Sequence, residues 1–132
     1  MFVTSRDNVG ATHLSEYDNL FKYNPDDRGQ KFTVNSICID DLIPLVKTKK
    51  VFIKLDIERT EATALSCAEE FFNQVDVRYV LMEWVDKNQT DVERLNRFFT
   101  YQGFKPYITA SRDRPADTRF GQASARNIFF IR

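Results

Sequence analysis

The run Val51-Phe52-Ile53-Lys54-Leu55-Asp56-Ile57 limits the possible folds of this chain more than any other stretch. It is apolar at nearly every position apart from Lys54 and Asp56. That is the pattern of a central parallel strand covered on both faces; a half-solvated strand would alternate. A parallel strand needs a crossover, and residues 60–74 supply one, with Ala62, Leu65, Ala68 and Phe72 on a single helical stripe. Residues 78–84, RYVLMEW, then read as a second buried strand. Thr90-Asp91-Val92-Glu93 has the form of a capping box, opening a helix that buries Leu95, Phe98 and Phe99. Gly103 is placed to end that helix in a left-handed cap. Two strand signals follow, at 106–110 and 127–131, with no helical periodicity between them. They predict an antiparallel pair at one edge of a sheet that is otherwise parallel, in an α/β layered architecture with right-handed crossovers.

The remaining segments are less regular. Residues 32–39, FTVNSICI, are rich in β-branched side chains and predict a strand, and Asp40-Asp41 can cap a short helix over the apolar LIPLV that follows. Pro44 then falls in the first turn, where a missing N–H costs little. Lys47, Lys49 and Lys50 suit a solvated helix end. The first 31 residues are polar, with one β-like opening at Phe2-Val3-Thr4 and turn chemistry in YNPDDRGQ. Residues 111–125 form a long polar loop of functional size. At 132 residues the chain is expected to be one domain, 1–132, with 1–31 as an irregular lead-in.

Composition removes several classes of function. Lys plus Arg and Asp plus Glu each total 19, so the formal charge is zero, which argues against a nucleic-acid binder and a polybasic membrane-surface protein. No apolar run approaches the roughly 18 residues of a membrane-spanning helix. Localisation is expected to be cytoplasmic by default, unless an N-terminal targeting segment lies outside this sequence. Cys38 and Cys67 make neither a disulfide framework nor a CxxC pair, and the single His13 excludes a multi-histidine metal site; no metal is expected.

Ligands of open α/β sheets bind beyond the carboxyl ends of the strands, and two strands here end in carboxylates. The first delivers Asp56 and Glu58, with Glu61 one turn into the helix; the second delivers Glu83 and Trp84. Strand alternation puts Lys54, Asp56 and Glu58 on one side. Three charges on an apolar strand are costly unless paired or functional. They form either an internal ion-pair set, Lys54 with Asp56 or Glu83, or a polar cluster that handles a substrate hydroxyl, a ligand amine or a metal. Arg112, Arg114 and Arg119 lie in the long loop, where Asp113 and Asp117 are placed to neutralise them. Asn88-Gln89-Thr90 matches a glycosylation sequon, although Thr90 also has the capping role above.

Lys54-Leu55-Asp56-Ile57-Glu58-Arg59-Thr60-Glu61, preceded by Ile39-Asp40-Asp41-Leu42 and followed by Tyr79-Val80-Leu81-Met82-Glu83, resembles the FkbM-like family of S-adenosylmethionine-dependent methyltransferases. Gly103-Phe104 with Tyr107, and the closing Asn127-Ile128-Phe129-Phe130, match the family's late segments. The resemblance implies a partial Rossmann-like class I methyltransferase fold whose N-terminal strands are missing. It implies O-methylation of a hydroxyl on a small molecule or glycan, with S-adenosyl-L-methionine as cofactor. Asp56 and Glu58 are then the catalytic candidates, and Glu61, Glu83 and Trp84 the substrate-binding ones. Two departures stand out. The family glycine after the glutamate is Arg59, expected to pair with Glu58 or Glu61. The four glycines (10, 29, 103 and 121) are scattered, with no glycine-rich cofactor loop. The alternative is therefore an inactive fragment or an α/β interaction module that has lost cofactor binding. Without a first strand to pair with, residues 51–57 would be left as an exposed sheet edge.

Overall fold

In the computed structural model, residues 35–48 and 50–132 are described in full, together with strand residues 2–3, 13–14 and 31–32. Two compact units divide the chain, Met1–Ile37 and Cys38–Arg132. In the first unit, β1 (Phe2–Val3) is the middle of a three-stranded antiparallel sheet, flanked by β2 (His13–Leu14) and β3 (Lys31–Phe32). The strand expected at 2–4 is present as β1. The turn expected within YNPDDRGQ lies outside the described residues.

The second unit begins with a 3-10 helix, Asp40–Leu45, and carries a sheet of β4 (Val51–Leu55), β5 (Val77–Glu83), β6 (Lys105–Tyr107) and β7 (Asn127–Ile131). Helices α1 (Glu61–Leu65) and α2 (Glu69–Gln74) connect β4 to β5, and α3 (Gln89–Tyr101) follows β5. The strand order is β4-β5-β7-β6. β4 and β5 are parallel, while β7 runs antiparallel to both β5 and β6. Three strands therefore point one way and β7 is inserted against them, so the predicted antiparallel pair is present with β6 as the edge. The result is a mixed α/β sheet consistent with part of a methyltransferase-like fold.

The core lies on one face of this sheet. Leu55, Val80, Met82, Ile128 and Phe130 are buried there, paired across β4, β5 and β7 in register. Phe99 of α3 stacks on Phe130 with ring centroids 3.8 Å apart, and Phe72 of α2 meets Phe98 and Phe104 edge-on. Phe72, Phe99, Phe104 and Phe130 are buried, each stabilising by roughly 1.5–3 kcal/mol, whereas Phe98, expected to be buried, is only partly so. On the other face Phe52 is 55% exposed and Tyr79, Leu81 and Phe129 are half-buried.

β4 is thus an edge strand with one exposed face, not a strand flanked and covered on both sides. Among the described residues no strand pairs with its free side, so its apolar run lies at a sheet edge. Residues 35–38 form no strand, and β3 ends at Phe32. The helix expected over 60–74 is broken at Ser66–Ala68. The Ser66 hydroxyl donates to the Thr63 carbonyl, Cys67 is bridged to Cys38, and Asp40 caps a new helix start by accepting the Phe71 N–H at 2.8 Å. The buried stripe survives the break, since Ala62, Leu65, Ala68 and Phe72 all remain buried.

Asp40 therefore serves α2 and not its own helix, where Pro44 sits inside the 3-10 turns and not at their start. The capping residue of α3 is Asn88, not Thr90: its Oδ1 accepts the Asp91 N–H at 2.8 Å. A box frame displaced by two residues is easy to misread, because Asn and Thr are both good caps. Gly103 does adopt the left-handed conformation, with φ of 76°. The two cysteines, read from the sequence as making no disulfide framework, are bonded to each other as a single bridge, with Cα atoms 5.5 Å apart.

Candidate functional site

β4 and β5 run in parallel, so their carboxyl ends meet at one edge of the second unit. The turns that follow them are held in sparsely populated backbone conformations. Among the described residues four non-glycines have positive φ, and three of them are at these two tips: Glu58 (53°), Arg59 (72°) and Asp86 (50°). Left-handed backbone costs a residue with a Cβ about 1–2 kcal/mol, and such strain concentrates where function holds a chain in place. At Arg59 the left-handed angle is also the physical reason a glycine suits that position.

Two ion pairs tie the turns together. Arg59 Nη2 donates to Asp86 Oδ2 at 3.1 Å, joining two of the strained residues. Asp86 is a partner the sequence reading did not name. Glu61 Oε2 instead accepts from Lys87 Nζ at 2.8 Å, and both side chains are almost wholly buried, 2% and 4% exposed. Its other oxygen accepts the Ile57 N–H at 3.3 Å. Lys87 also lies over the Trp84 ring, 6.0 Å from its centroid. The pair forms because Glu61 opens α1 and points back into its own preceding turn, while Lys87 reaches across from the β5 turn.

The other tip carboxylates are more open. Asp56 is bound by Lys54 at 2.8 Å with 42% of its side chain exposed. That contact holds the Lys54 ammonium charged above the usual lysine range, chiefly through the hydrogen bond to Asp56 and then through its charge. One branch of the sequence expectation, an internal Lys54–Asp56 pair, is thus realised. Alternation does not reach Glu58, because β4 ends at Leu55 and Glu58 has turned left-handed. Glu83 at the end of β5 accepts two bonds on Oε1 from Arg126, at 3.0 and 2.9 Å. The Trp84 backbone N–H donates to the Arg126 carbonyl at 2.6 Å, and its ring is buried 5.5 Å from Phe130.

The long loop closes over this end of β5. A cavity of about 310 Å³ lies between the β5 turn and the loop, lined by Trp84, Asp86 and Lys87 on one side and Arg119, Phe120 and Gly121 on the other. Asp117 clamps Arg119 through both carboxylate oxygens, which holds its carboxyl down at about 2. Asp113 is held low chiefly by the hydroxyls of Thr109 and Ser111, with the charge of Arg114 adding to the effect. Arg112 donates to the carbonyl of Arg132 at 3.0 Å. Sequence reasoning missed Asp86, Lys87 and Phe120 as parts of this end. Only their place after a strand carboxyl terminus or in the long loop could have flagged them. A larger cavity, about 420 Å³, lies between α1 and α3 around Leu65, Leu95 and Tyr101, and holds none of the strand-tip carboxylates.

The chemistry of the donor set fits part of S-adenosylmethionine. Carboxylates such as Asp56 and Glu58 suit its ammonium end, but the described glycines, Gly103 and Gly121, provide no glycine-rich turn after a strand for the rest. Among the described residues no three His, Cys, Asp or Glu side chains converge as a metal site, and no helix is long and apolar enough to cross a membrane. Neither a curated protein nor a solved structure matches the chain. Residues 2–106 match the family described as the Methyltransferase FkbM domain. That span contains β4, β5 and the two bolted turns that follow them, and the chain belongs to the FkbM methyltransferase family.

Proposed function

We propose that this chain carries the acceptor end of an S-adenosylmethionine-dependent O-methyltransferase that acts on a hydroxyl of a small molecule or glycan. The reading takes residues 1–132 as one domain of Rossmann-like type, missing its N-terminal strands. The observation that carries it is the pair of strained turns beyond the parallel β4 and β5, tied by Arg59–Asp86 and Glu61–Lys87 beside a loop-covered cavity. Ligands of open α/β sheets bind at this end of the strands. S-adenosylmethionine, when bound, supplies the methyl group, and Glu58 is the residue suited to its cationic end.

Methyl transfer asks mainly for positioning, exclusion of water and removal of the acceptor's proton. Asp56 is the group assigned to that proton, since it lies directly beyond the end of β4 with 42% of its side chain exposed and with Lys54 beside it. Glu58 stands beside it in the turn. Phe120 and Trp84 supply apolar walls to the cavity and exclude water. Glu61 holds Lys87, which lines the cavity and would border a substrate there, while Glu83 holds Arg126 at the end of β5.

The test is calorimetric titration of the full-length protein with S-adenosylmethionine, followed by methyl transfer to hydroxylated acceptors with Asp56→Asn as control. Heat of binding and a turnover lost in Asp56→Asn support the reading. No heat of binding refutes it and leaves the interaction-module reading, which the lack of a glycine-rich turn among the described residues favours.

A further inference from the structure

We propose that Asn88 is an N-glycosylation site, and that this chain matures in an oxidising compartment where Cys38 and Cys67 are joined. The inference is independent of the methyltransferase reading. Two separate observations carry it. The chain holds a single Asn-x-Ser/Thr triplet with x other than proline, Asn88-Gln89-Thr90, and all three residues are exposed at the start of α3. Both cysteines of the chain are paired, none is free, and their Cα separation of 5.5 Å is that of an ordinary bridge. Disulfides persist in secretory and extracellular compartments and are rare in the cytosol. N-linked glycans are attached to such triplets in secreted proteins.

The geometry of Asn88 accepts a glycan without loss of its structural role. Its Oδ1 caps α3 by accepting the Asp91 N–H, and its Nδ2 donates to Asp91 Oδ2 at 2.7 Å. A primary amide has two N–H groups, and glycosylation consumes one. The cap and the Asp91 contact therefore both remain, and the sugar leaves from an exposed side chain. In the transfer, Nδ2 forms a C–N bond to C1 of a lipid-pyrophosphate-linked oligosaccharide. The C1–O bond to pyrophosphate breaks, the lipid pyrophosphate leaves with the bonding pair, and the amide proton passes to the transferase. The bridge forms when the two thiols give up two electrons and two protons to the disulfide of a thiol oxidoreductase, which is reduced to its dithiol.

Gln89→Pro gives a test that leaves the fold in place. Gln89 is the first helical residue of α3, a position that favours proline, and Asn88 before it is extended (φ −73°, ψ 164°), as a residue preceding proline should be. A proline there disables the triplet and keeps Asn88, Thr90 and the cap. The full chain, directed through the secretory pathway of a eukaryotic host, is weighed intact before and after peptide N-glycosidase, and its thiols are alkylated without reduction. One glycosidase-sensitive mass increment on the native chain, absent from Gln89→Pro, with both cysteines protected from alkylation, is the expected result. No increment on the native chain, an increment that persists in Gln89→Pro, or alkylation of Cys38 and Cys67 overturns the proposal. Asn88→Asp, which keeps the capping oxygen, must also lose the increment.

Discussion

The buried Glu61–Lys87 pair is the contact whose removal should be felt most. At 2.8 Å the two charges attract by about 6 kcal/mol at an effective dielectric constant near 20. Desolvation of both ions offsets most of that, so the intact pair contributes little net stability compared with an apolar pair of the same shape. Breaking it is another matter. Lys87→Met leaves a carboxylate 2% exposed with only the Ile57 N–H at 3.3 Å to satisfy it. Glu61→Leu leaves an ammonium 4% exposed above the Trp84 ring. Each single change should cost roughly 3–5 kcal/mol, a large share of the about 5–15 kcal/mol that holds a domain together. The double variant Glu61→Leu/Lys87→Met should cost far less than the sum, because no charge is stranded. Urea unfolding followed by tryptophan fluorescence suits the measurement, since Trp84 is the single tryptophan of the chain and sits at the pair. Single variants that each lose less than about 1 kcal/mol, or a double variant whose loss equals the sum, would refute the reasoning.

Three other outcomes follow from local contacts. Asp40→Ala should lower stability by about 1 kcal/mol and speed amide exchange in α2, because Asp40 caps that helix from 31 residues away; unchanged exchange at Phe71 would count against it. Reduction of the Cys38–Cys67 bridge, which spans 29 residues, should cost about 3–4 kcal/mol on the chain-entropy account; equal unfolding midpoints with and without reductant would contradict this. Asp117 should titrate near 2, held there by Arg119. Its depressed value means the contribution is complete above the ordinary carboxylate range near 3.8 and is lost as pH falls toward 2. Carboxyl-carbon chemical shifts would show it, and an ordinary midpoint near 3.8 would mean the Asp117–Arg119 clamp does not form in solution.

How far the chain could be read before its structure depended on how local each signal was. Ala62, Leu65, Ala68 and Phe72 announce a buried helical stripe because a period of 3.6 is written in consecutive residues. The short apolar runs at 78–84 and 127–131 announce the strands that form as Val77–Glu83 and Asn127–Ile131, and Gly103 announces the left-handed end of α3. The break at Ser66–Ala68 was not legible, because its causes lie elsewhere in the chain, in Cys38 and Asp40. Lys54 with Asp56 could be foreseen as neighbours two residues apart, whereas Arg59 with Asp86, 27 residues apart, could not.

The sequence by itself determined the strand–helix alternation, the antiparallel ending, the carboxylates at two strand tips and the resemblance to the FkbM family. Each follows from periodicity or from residues close together along the chain. Only the tertiary structure decided that β7 separates β5 from β6, and that Glu61 is sealed against Lys87 and withheld from solvent. It also joined the two cysteines and moved the α3 cap to Asn88, whose side chain keeps a free N–H. Burial and long-range pairing depend on which turns the parallel strands bring together, and no local pattern encodes that distance.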